Sequence, residues 1–135
     1  MKKLISIILF TSLINTAEAE SAKEFLEKAL VGAGIDQMTK VTGARISCDS
    51  IELSYNHGLA PLPHDDVIIP VKRVEADDGF GRVKFDCING GACLNFSYGR
   101  NSLSLTGITR KLSNSLTHAF QVLQQDCGGK ETSSF

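Results

Sequence analysis

The side chains best suited to chemistry in this chain of 135 residues are its three histidines, its four cysteines and a few adjacent carboxylates. His57, His64, Asp65 and Asp66 surround one segment, and a His/His/Asp set is the kind that binds zinc or another transition metal. The His57-to-His64 spacing matches no metal-binding pattern, and Pro61 and Pro63 stiffen the connection, so a solvated loop is expected, with no metal and no other cofactor. Nucleophilic hydrolysis would need a serine or cysteine in a glycine-flanked turn beside a histidine. The sequence holds no such elbow, and no catalytic residue is assigned. His118 falls near the surface side of a helical stripe, as a packing or solvent histidine does. Asp77 and Asp78 read as a solvated acidic turn from Glu75 to Gly79. Gly79-Phe80-Gly81 lacks the lysine and the strand-to-helix setting of a phosphate loop, so its glycines read as turn glycines.

The same segment carries an apolar run, Gly58-Leu59-Ala60-Pro61-Leu62-Pro63. Leucines on a loop either fold back onto the core, the commoner use, or are offered to a partner. In the second case His57, Leu59, Leu62, His64, Asp65 and Asp66 are the candidate contacts, because they join apolar anchors to a polar rim.

The elements that must position these residues begin after a leader. Lys2 and Lys3, an apolar run from Leu4 to Ile14 and Ala17-Glu18-Ala19 have the three parts of a secretory signal peptide over residues 1–19. That run is too short to cross a bilayer, for which about 20 residues are needed. No cysteine follows the expected cleavage site to take a lipid, and no second apolar span occurs, so neither a membrane span nor a lipid anchor is expected. The 14 basic and 15 acidic side chains are scattered rather than clustered, which disfavours nucleic acid as a partner.

Residues 20–38 hold an amphipathic helix opened by the capping box Ser21-Ala22-Lys23-Glu24, with Ala22, Phe25, Leu26, Ala29, Leu30 and Ala33 on its apolar stripe and Gly32 and Gly34 to end it. From Ala44 to Ile108, short β-branched and aromatic runs alternate with turn residues. Asp49-Ser50 marks a tight turn or bulge, Pro70 an edge or a bend, and Gly99-Arg100-Asn101 a turn. The clearest hairpin joins Val83–Cys87 to Cys93–Tyr98 through Asn89-Gly90-Gly91, which sets Cys87 opposite Cys93. A second helix from about Arg110 to Cys127 carries Leu112, Leu116, Ala119, Phe120, Leu123 and Cys127 on one stripe. Cys127 then faces the sheet and takes Cys48. The tail, residues 128–135, is expected to be flexible.

An even cysteine count in an exported chain implies two disulfides. Helix, antiparallel strands, helix is an α+β order, with one domain over residues 40–127. A strongly curved antiparallel sheet, or partly open barrel, closed by a C-terminal amphipathic helix resembles the pleckstrin-homology-like fold, including small exported bacterial versions with a helix in front. That likeness rests on element order and brings no ligand with it. The expected function is therefore a periplasmic or secreted, non-enzymatic interaction protein, such as an inhibitor, an immunity protein or an envelope-complex subunit. Its partner is another protein, and its oligomeric state is open. A small secreted hydrolase or metal-dependent enzyme is the alternative.

Overall fold

In the computed structural model, described for residues 21–35, 39–57, 67–96 and 98–130, turn chemistry decides where each strand stops. Strands β1 (Thr39–Ile46) and β2 (Ser50–His57) form a hairpin in which Ile46 pairs with Ile51. Ser47 N–H donates to Ser50 O at 3.0 Å, so Asp49-Ser50 belongs to a tight turn. Strand β3 (Val67–Pro70) ends at the one residue that has no N–H for the ladder, and the chain bends through Val71–Arg73 into β4 (Val74–Asp78). Strands β5 (Val83–Cys87), β6 (Leu94–Phe96), β7 (Tyr98–Arg100) and β8 (Ser102–Leu105) complete the set. Helix α1 covers residues 21–29, and α2 runs Arg110–Asp126.

The strands form two antiparallel sheets, ordered β1-β2-β3-β6-β7 and β4-β5-β8, rather than the single curved sheet expected. The expected hairpin between β5 and the segment after Cys93 is not formed. The Cys87 amide donates to Asn101 O at 2.8 Å, so β5 pairs with β8 on one side and β4 on the other, while β6 joins β3 and β7 in the other sheet. Two further expectations are corrected. Glu75 to Asp78 are strand, because Glu75, Ala76, Asp77 and Asp78 pair with Asp86, Phe85, Lys84 and Val83. Gly99 and Arg100 lie in β7 opposite Asn95 and Leu94 rather than in a turn. Gly34 links the sheets, exchanging hydrogen bonds of 2.8 and 2.7 Å with Thr106 of the chain just after β8 while also bridging to Lys40 in β1.

Alternation supplies the core: Val83, Phe85 and Cys87 point in while Lys84 points out, and Leu103 and Leu105 do the same in β8. Helix α2 lays Leu116, Ala119, Phe120 and Leu123 over this face, and Ala22 and Leu26 of α1 are buried in the same core cluster, while Phe25 falls outside the buried stripe at 37% exposure. The rings of Phe85 and Phe120 meet edge to face at 5.2 Å. Gln124 is buried because both protons of its amide have partners: Nε2 donates to Val71 O at 2.7 Å and Val74 O at 2.8 Å, fixing α2 to the β3–β4 bend. The disulfides are Cys48–Cys127, tying the β1–β2 turn to the end of α2, and Cys87–Cys93, closing the passage from one sheet to the other.

Candidate functional site

Of the residues singled out by sequence, His57 is the last residue of β2, where its backbone pairs with Thr39. Leu59, Leu62, His64, Asp65 and Asp66 lie outside the described residues. His118 is exposed on α2. Among the described residues no group of three or more histidine, cysteine or carboxylate side chains is placed to hold a metal ion.

What the structure does bring together is the turn between β4 and β5. Gly79 N–H donates to Arg82 O at 2.7 Å, closing a two-residue loop over Phe80 and Gly81, both with positive φ, 58° and 101°. This is the primed hairpin geometry, whose twist suits the flanking strands and whose first position favours asparagine, aspartate or glycine. Gly81 meets the requirement. A Cβ there would also lie 3.2 Å from Ile108 O. Phe80 does not meet it, since a left-handed conformation costs a bulky L-residue about 1–2 kcal/mol. Nor does its ring recover that cost in the core, because Phe80 is 77% exposed.

Three side chains hold the turn in place. Asp78 Oδ1 accepts from the Phe80 amide at 3.1 Å, and Asp78 Oδ2 accepts from Asn114 Nδ2 at 3.3 Å. Ser113, fully buried in the first turns of α2, accepts from the Gly81 amide at 3.0 Å and has Oγ 2.7 Å from Asp78 Oδ1 and 2.9 Å from Arg110 O. Its single proton goes to the carboxylate, the stronger acceptor. The Arg110 guanidinium stands 5.5 Å from the centre of the Phe80 ring, over its electron-rich face.

The hydrogen bond from Ser113, helped by those from the Phe80 amide and Asn114 and opposed by desolvation, holds the Asp78 carboxyl below the usual carboxylate range. Because its folded-state pKa is depressed, the stabilisation is complete above the ordinary value of 3.8 and is lost as pH falls through the lower folded value. Asp78→Asn, which keeps an acceptor oxygen but cannot titrate, should flatten the acid limb of the stability curve below pH 3.8. Urea midpoints measured across that limb check this, and an unchanged slope would count against it.

In the sequence, Gly79-Phe80-Gly81 shows its glycines as turn residues and gives the aromatic between them no role. The available signal was a large apolar residue at the place in a short turn where asparagine belongs. Compared with known proteins, the chain matches no family model, no curated protein and no solved structure.

Proposed function

We propose that this chain is an exported, non-enzymatic interaction protein that docks another protein through the β4–β5 turn, with Phe80 as the anchor. The observation that carries the reading is Phe80 itself: a strained, exposed aromatic on a turn braced from α2. Backbone strain in a folded protein concentrates where function requires it. A pre-positioned ring beside an arginine has the composition of an interface anchor, and the fixed turn reduces the ordering cost of binding. Export is supported by the leader-like residues 1–19 and by two disulfides, which persist in oxidising compartments. Among the described residues, no helix is long and apolar enough to cross a membrane. A pleckstrin-homology-like relationship agrees with the helix–strands–helix order and supplies no ligand.

The test is Phe80→Asn, which removes the ring and puts a favoured residue in the turn. Chemical cross-linking in cells that export the protein reads partner engagement. Adducts formed by the wild type should disappear in the variant while its circular dichroism is unchanged.

A further inference from the structure

We propose that the outer edge of β4 receives an extended, lysine- or arginine-bearing segment of another protein as an added strand. β4 stands at the end of its sheet. Two hydrogen bonds bracket it: Ile88 N–H to Arg73 O at 3.0 Å and Gly79 N–H to Arg82 O at 2.7 Å. In an antiparallel pair, main-chain groups alternate between the partner strand and the opposite side. Arg73, Glu75, Asp77 and Gly79 therefore bond towards β5, and Val74, Ala76 and Asp78 direct their N–H and C=O groups outwards. Val74 O is taken by Gln124 Nε2. The N–H and C=O of Ala76 remain at the centre of the open edge, facing a groove of about 440 Å³ walled by Gln121 and Gln125 of α2. At the other side of this sheet, beyond β8, Thr106 is already bonded to Gly34.

Charge selects the occupant. Glu75 and Asp77, both exposed, flank Ala76. Two copies pairing antiparallel about Ala76 would set Glu75 opposite Asp77, and like charges directly across a ladder destabilise it. A basic strand meets the same carboxylates favourably. Lys130 Nζ, 3.0 Å from Glu75 Oε1 in an exposed pair, is readily displaced by a partner cation, because such pairs contribute little.

The probe is a synthetic heptapeptide alternating lysine with valine or threonine, blocked at both ends, with a glutamate-for-lysine counterpart. Binding is read by calorimetry and by hydrogen exchange at the Ala76 amide. The lysine peptide should protect that amide. Ala76→Pro, which removes the outward N–H and no bond to β5, should weaken binding about tenfold or more. The double reversal Glu75→Lys/Asp77→Lys should abolish it and gain the glutamate peptide; should the proline variant not fold, this reversal decides alone. Peptide binding is read apart from the cross-linked adducts assigned to Phe80, so that failure here is distinct from failure of the Phe80 reading. An unprotected Ala76 amide, equal binding by the folded variants, or self-association that protects Ala76 without peptide would each overturn the proposal.

Discussion

Replacing Cys48 and Cys127 together with serine should lower the free energy of unfolding by about 4 kcal/mol. The bridge spans 79 residues and joins the β1–β2 turn to the residue that caps α2. Its removal frees the chain from Cys48 to Cys127 in the unfolded ensemble, and the loop-entropy cost grows with the logarithm of that length. Cys87–Cys93 spans 6 residues, so its loss should cost about 2 kcal/mol on the same footing. Guanidinium unfolding of the two double variants, followed by circular dichroism, checks the order. Equal midpoints would contradict it.

Phe120→Ala should cost about 3–5 kcal/mol. Phe120 is 1% exposed at the centre of the α2 stripe, and its edge-to-face contact with Phe85 is the direct seam between the helix and β5. Truncation loses the transfer free energy of the ring and leaves a cavity between two rigid elements, which have little freedom to collapse into it. Phe80→Ala, which deletes the same ring from an exposed turn, should cost far less. Urea titration of both variants makes the comparison, and similar losses would refute this assignment of Phe120 to the core and Phe80 to the surface.

Local pattern carried part of this architecture. The 3.6-residue stripe placed Leu116, Ala119, Phe120 and Leu123 correctly, and Gly128, with φ of 108°, follows the end of α2 where a glycine was expected. In the strands, period-two alternation sets Val83, Phe85 and Cys87 inward. What alternation cannot specify is the neighbour. The segments around Asn89-Gly90-Gly91 look like two arms of one hairpin, yet the Cys87 amide is claimed by Asn101, and that competition is decided by distant chain. The paired cysteines were legible for a different reason than the one first apparent: Cys87 and Cys93 meet across the crossing between sheets, not across a ladder.

The buried polar groups were less legible still. Ser113, Thr117 and Gln124 sit in a helix whose sequence suggests a purely apolar face. Ser113 and Gln124 are tolerated inside because Asp78, Gly81, Val71 and Val74 come to meet them from β4 and its flanking turns. The same long-range pairing creates the candidate site: only when Ser113 braces the turn does Phe80 become a fixed, exposed ring.

The most direct test of that site pairs two measurements on one preparation of Phe80→Asn, its unfolding free energy and its partner adducts. Relief of left-handed strain, about 1–2 kcal/mol, outweighs an exposed cation–π contact of about 0.5–1 kcal/mol, so the variant should be at least as stable as the wild type. The account predicts that this equally or more stable protein loses the cross-linked adducts of the wild type. A variant that keeps every adduct while remaining folded would contradict it.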